Sequence, residues 1–288
     1  MGMPGRSPGG RHGRLRVLPL AGAVLFLQAE QAAAGALERA MLGKSQVVDL
    51  THALDERALS QPLDPPPASP PVPPPVPPAA GQERPRNEAA GEADRNSATA
   101  RFSVPADLTT HLELPVIVVK GKATVAQIPA RELFVHAVLV DVSAKVAQSD
   151  DYRVTVDDLR AWERRNGRMS KESVVLLHTG WSRRCGDPVR YLNLDAQGVP
   201  RVPGFSLAAL NFLVTEREVR GVGLDAFFPD GTPGNPDEEA RALLHAGKWQ
   251  LVNLTNLNLL PAKGAKLVIA PLRLKAGSAP VRVIAILP

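Results

Sequence analysis

Six histidines and a single cysteine are the side chains of this 288-residue chain best suited to bind a soft metal or attack a carbonyl. Cys185 stands alone, so neither an intramolecular disulfide nor a cysteine-based zinc knuckle can form. No histidine adjoins it in sequence to take its proton, and a nucleophilic thiol is not expected. His52, His136 and His178 sit in or beside β-branched and aliphatic runs, which makes them strand-face or core histidines. With 44% apolar and only 4% aromatic residues, the chain can bury one substantial core or two small ones. Collagen, coiled-coil and wholly disordered readings are excluded on that composition. The formal charge of +5 does not mark a nucleic-acid binder. Arg6, Arg11, Arg14 and Arg16 crowd near the amino terminus against Glu30, and the remainder has neither a basic stripe nor aromatic stacking platforms.

Those chemical groups need a scaffold, and the chain divides by composition into four stretches. Arginines up to Arg16 precede the apolar run Val17 to Leu27, and Ala32-Ala33-Ala34-Gly35-Ala36 offers small-residue cleavage sites. Residues 1–36 are therefore expected to be a signal peptide, with a secreted or periplasmic product and no stable membrane anchor. Residues 37–63 contain one alternating strand candidate, Val47-Val48-Asp49-Leu50-Thr51-His52. Residues 64–100 are rich in proline and then in small charged residues, which favours a polyproline II or flexible insertion over a packed core. Residues 101–288 read as an α/β domain, with short aliphatic runs alternating with helical patterns. Strands are expected at Val116 to Val119, Ala137 to Val142, Val174 to Leu177, Gly221 to Leu224, Leu267 to Ala270 and Val281 to Ile286. Thr155 should cap a helix to about Arg165 with Asp158 closing a capping box, and Ser206 a second through Leu213. A third should run from Asp237 to Ala246 and stop at Gly247.

Several segments carry more specific information than periodicity. They include Lys120-Gly121-Lys122 with Ile128-Pro129, Val140-Asp141-Val142, Leu176-Leu177-His178-Thr179-Gly180-Trp181, and Pro203-Gly204-Phe205-Ser206. Gly221-Val222-Gly223-Leu224-Asp225, Asn253-Leu254-Thr255-Asn256-Leu257 and Pro280-Val281-Arg282-Val283-Ile284-Ala285 follow. With these segments, and with Val48 to His52, the chain resembles the cyclase family of metal-dependent hydrolases, which includes bacterial kynurenine formamidase and isatin hydrolase. The resemblance implies a single α/β domain, a mixed β-sheet with flanking helices, assembled as a homodimer or larger homo-oligomer. It also implies hydrolysis of an amide carbon–nitrogen bond, as in N-formylkynurenine to kynurenine and formate.

The family signature has the form His-x-Gly-Thr-His-x-Asp-x-Pro-x-His, and Thr110-His111 with Pro115 set its register here. In that register Asp107 takes the first histidine's place, Thr109 the glycine's and Glu113 the aspartate's, while His111 is retained and Ile117 replaces the last histidine. Farther on, Ala240-Arg241 stands where the family has His-Arg and Val252-Asn253 where it has Glu-Asn. Asp107, His111 and Glu113 can still offer one nitrogen and two oxygen donors, and so the cofactor expected is either one divalent metal, zinc, manganese or magnesium, or none. Ile117, Ala240 and Val252 can neither ligate nor move a proton, and losing one general acid or base costs roughly 10²- to 10⁴-fold. His245 does not replace Ala240, because five residues along a helix is a rotation of roughly 500°, which aims it off that face. Asp225 matches an acid near the family's cleft, where capping a turn competes with chemistry. Two readings stand side by side: a pseudoenzyme keeping the fold for binding, with an active paralogue as one partner, and an altered one-metal arylformamidase-like hydrolase.

Overall fold

The computed structural model describes residues 36–53, 109–227 and 238–288. The signal-like segment before Ala36, the proline tract and Asp107 lie outside them. The chain forms two compact units, Met1–Ser45 and Gln46–Pro288. In the first, the described element is the short helix α1 (Ala36–Met41). Among the described residues no helix is long and apolar enough to cross a membrane.

The second unit is built on β1 (Val47–Asp49), β2 (His111–Glu113), β3 (Phe134–Asp141), β5 (Val174–His178), β7 (Gly221–Leu224), β8 (Trp249–Val252), β9 (Lys263–Pro271) and β10 (Ser278–Ile286). They hydrogen-bond in the order β1-β10-β2-β8-β7-β5-β3-β9, and β10 pairs with β9 as well, so the sheet closes on itself. β3, β5, β7 and β8 run parallel, whereas β2, β9 and β10 join antiparallel. A separate parallel pair joins β4 (Arg153–Val154) to β6 (Gly204–Phe205).

Period-two alternation sorts each strand's side chains into two cores. Val174 and Leu176 of β5 join Leu112, Leu251, Leu267 and Val283 in one cluster. Val175 and Leu177 join Leu159, Trp162, Leu210, Phe212 and Leu243 of the covering helices in the other. Buried on both faces, β5 therefore reads as an unbroken aliphatic run. Two features of β7 explain its glycines. A Cβ on Gly221 would stand 2.2 Å from the Trp249 carbonyl, and one on Gly223 would stand 2.8 Å from Leu176 Cδ2.

The covering helices follow their local signals. Thr155 caps α3 (Val156–Asn166), which follows the short α2 (Ser143–Val146), and the capping box with Asp158 is present. Trp162 of α3 donates Nε1–H to the Leu139 carbonyl at 2.7 Å, tying helix to strand. After α4 (Pro188–Leu192), Ser206 caps α5 (Leu207–Asn211), which widens into a π-helical turn over Phe212–Glu216. The last helix, α6 (Glu238–His245), ends two residues before Gly247, whose φ is +79°. One expected strand is absent. Val116 to Val119 begins in a 3-10 turn, Pro115–Ile117, because Pro115 opens the turn and the following amides bond back to Leu114 and Pro115.

Candidate functional site

Strand β2 is only three residues long, yet all three are buried. His111 and Glu113, two apart, project to one face while Leu112 enters the opposite cluster. Across the β2–β8 ladder His111 faces Val252 and Glu113 faces Gln250. The candidate site is therefore a square of two cross-strand pairs.

The hydrogen bonds fix the chemistry of that square. His111 Nδ1 lies 2.6 Å from the Thr109 carbonyl, which can only accept, so Nδ1 carries the hydrogen. The second nitrogen, Nε2, lies 3.1 Å from Glu113 Oε1. In neutral imidazole Nε2 presents a lone pair, and a carboxylate oxygen presents another. Two such atoms at that separation require a cation between them, either a proton or a metal ion. The other Glu113 oxygen, Oε2, accepts from Gln250 Nε2. Burial pushes the Glu113 carboxyl up, but the hydrogen bond and charge of His111 and the Gln250 amide outweigh it and hold the group below its usual range.

A buried polar frame holds this pair. Thr110 Oγ1 donates to the Asn253 carbonyl at 2.5 Å and accepts from the His52 amide at 3.0 Å. Asn253 adopts a positive φ of 57°, donates Nδ2–H to the Thr109 carbonyl at 3.3 Å and accepts from the Tyr191 hydroxyl. Burial pushes the Tyr191 hydroxyl well above its ordinary pKa, so it acts as a neutral donor. The carbonyl that orients His111 is thus itself positioned from β8.

Other residues singled out by the sequence fall elsewhere. Asp107 lies outside the described residues, so the three-donor set is described only as the His111–Glu113 pair. Among the described residues no three His, Cys, Asp or Glu side chains group as a metal site. Ile117 is 50% exposed in its 3-10 turn, whereas Val252 is 2% exposed, directly opposite His111. Ala240 belongs to α6, a helix that packs near both β8 and the Pro115–Ile117 turn. Val252 therefore adjoins the His111–Glu113 pair and the helix bearing position 240 packs nearby, but position 252 brings only aliphatic bulk. His245 is exposed, His136 lies exposed on β3 and His52 is half-buried.

Asp225 has a structural task. Its Oδ1 accepts from the Thr179 amide at 2.9 Å and hydroxyl at 2.6 Å, and Oδ2 accepts from the Gly180 amide at 2.8 Å. Burial pushes its carboxyl above the ordinary range, opposed by those hydrogen bonds and by His178. His178, buried at the end of β5, stands 3.2 Å from Asp141 Oδ1 on the neighbouring parallel strand.

Sequence reasoning placed Asn253 in a family motif without giving it a role, and missed Gln250 and Tyr191 as site residues. For Gln250 the sequence signal was a lone glutamine among the apolar residues of Trp249-Gln250-Leu251-Val252, and its meaning depends on the strand it faces.

Comparison with known proteins identifies the family and the fold. The family described as "Putative cyclase" matches residues 48–231. Isatin hydrolase of Roseibium aggregatum is 32% identical over 189 residues, which span 62% of this chain and 71% of that protein. The structure of isatin hydrolase A from Labrenzia aggregata bound to benzyl benzoate matches with a TM-score of 0.66 at 32% identity, over 92% of this chain and 99% of that one. An isatin hydrolase bound to the product analogue thioisatinate matches with a TM-score of 0.71 at 26% identity, over 90% and 99% of the two chains.

Proposed function

We propose, from the premise that this chain belongs to the cyclase family, that it is an attenuated amide hydrolase acting on the carbon–nitrogen bond of a small aryl amide. Isatin-like cyclic amides and N-formylkynurenine are the two substrate types to test. The observation that carries this reading is the buried His111–Glu113 pair, whose imidazole Nε2 and carboxylate Oε1 lie 3.1 Å apart and can share one cation, a proton or a divalent ion. The donor set fits a divalent ion: one imidazole nitrogen oriented by a backbone carbonyl and one carboxylate oxygen, with Asp107 as the expected third donor. Such an ion would supply Lewis-acid polarisation of the amide carbonyl and activation of water.

The protein's own residues prepare the rest. The Thr109 carbonyl holds His111 in one tautomer, and Asn253 and Tyr191 hold the strand end that presents that carbonyl. Gln250 occupies the second oxygen of Glu113. What the described site lacks is a proton mover at position 252, where Val252 supplies none. Turnover should accordingly fall roughly 10²- to 10⁴-fold below a family enzyme with its base intact. A second reading, a fold kept for binding after chemistry was lost, draws on the same Val252 and on the outward-turned Ile117.

Metal content of the full chain after equilibration with zinc, manganese and magnesium separates the two readings. Stoichiometric metal that disappears in His111→Ala, with slow turnover of isatin or N-formylkynurenine that disappears with it, is the expected result. A metal-free wild type with background rates would overturn the hydrolase and leave the binding role. We also propose that the protein is exported and self-associates, to be checked by cell fractionation and by light scattering of the purified chain.

A further inference from the structure

Gln250 is fully buried, with 0% exposure, on a strand whose neighbours on either side, Trp249 and Leu251, are apolar. A glutamine so placed is unusual, because a fully buried amide must find partners for both its donor and its acceptor. Its Nε2 donates to Glu113 Oε2, but its Oε1 has no hydrogen-bond partner among the described residues. A buried acceptor left unmet destabilises the fold, so its presence calls for another role. Strand alternation places Gln250 on the same face as Val252, two cross-strand pairs along the ladder from His111.

We propose that Gln250 is the positioning residue of the cation site. Its amide engages one oxygen of Glu113, so the carboxylate turns its other oxygen alone toward His111 Nε2. Gln250 thereby supplies, from two residues earlier on β8, the polar support that Val252 cannot give. Its unmet Oε1 is an acceptor that a water carried in with a hydrated cation would satisfy. This rests on the reading of His111 and Glu113 as cation ligands.

The test is calorimetric titration of manganese(II) chloride into the chelator-treated full chain, with thermal melts in chelator and in manganese. Wild type and the variants Gln250→Leu and Gln250→Glu are compared. Gln250→Leu should bind manganese about 10- to 100-fold more weakly, as expected for loss of a group that orients a ligand. Its melting temperature in chelator should stay within a few degrees of wild type, because removing the unmet acceptor offsets the donor that Glu113 Oε2 loses. Gln250→Glu should melt below wild type in chelator, since two carboxylates then face each other, and manganese should raise its midpoint by more than it raises wild type. Unchanged affinity in Gln250→Leu, or a Gln250→Glu deficit that manganese does not recover, would overturn the proposal while leaving the hydrolase standing. A wild type that binds no manganese, zinc or magnesium would overturn both.

Discussion

Replacing Asp225 by asparagine tests whether this acid is a piece of architecture or a piece of chemistry. The carboxylate is 1% exposed and accepts three hydrogen bonds, two from Thr179 and one from the Gly180 amide. Asparagine keeps one acceptor oxygen, which can serve both Thr179 donors, but its amide group must then face the Gly180 N–H. An unmet buried donor costs about 1 to 3 kcal/mol. Loss of charge assistance on the two Thr179 bonds should add about 0.5 to 1 kcal/mol each. Relief of the buried charge works in the opposite direction, so a net destabilisation of about 2 to 3 kcal/mol is expected. With a urea m-value near 3 kcal/mol/M, the unfolding midpoint should fall by roughly 0.7 to 1 M. Thr179→Val, alone and combined with Asp225→Asn, should show a coupling energy of about 1 kcal/mol or more, because the two side chains meet directly. Metal content should not change. An Asp225→Asn midpoint equal to wild type would refute the hydrogen-bond reasoning, and loss of metal would make Asp225 a ligand.

Further expectations address the helix cap, the barrel and the aliphatic position opposite His111. Asp158 is held at a pKa of about 2, where burial is outweighed by Lys145, Thr155 and Tyr152, below its ordinary 3.8. A depressed carboxyl stabilises the fold above its unfolded pKa and loses that contribution as pH falls. Asp158→Asn should therefore cost about 1 kcal/mol at pH 7, in line with loss of a helix cap, and the gap to wild type in urea midpoint should close between about pH 4 and pH 2. Gly221→Ala should lower stability by about 1 to 3 kcal/mol, because its Cβ would sit 2.2 Å from the Trp249 carbonyl; Gly186→Ala, with nothing within 4 Å, should melt within about 0.5 kcal/mol of wild type. Val252→Glu puts a carboxylate opposite His111. It should destabilise the chelator-treated protein by about 2 to 5 kcal/mol, recover about 2.7 kcal/mol when metal is present at about 100 times its dissociation constant, and raise isatin turnover about tenfold or more. Thermal melts with and without zinc, alongside steady-state rates, check this, and a variant that metal does not stabilise would count against the site.

Much of the fold was legible because its determinants are local. Val174 to Leu177 is an aliphatic run that only a strand covered on both faces explains, and Thr155 with Asp158 marks a helix start within four residues. Segments such as His178-Thr179-Gly180-Trp181 carried the family resemblance that the comparisons bear out. Short elements were not legible. His111-Leu112-Glu113 is a strand only because β10 and β8 flank it, and Val116 to Val119 has strand-like residues but follows a proline that opens a turn. Propensity is a weak prior wherever non-local pairing supplies the stabilisation.

The candidate site divides along the same line. Residue identity alone decided that His111 could ligate, that Glu113 could offer oxygen and that Val252 could do neither, because those are properties of functional groups. Which groups meet was decided by the barrel. The β2–β8 register sets Gln250, 137 residues away, against Glu113 and Val252 against His111, and the closure of β9 on β10 completes the barrel that contains both strands. A hydrogen bond across that separation leaves no trace in local sequence, since loop closure and strand pairing, not neighbouring residues, determine its partners.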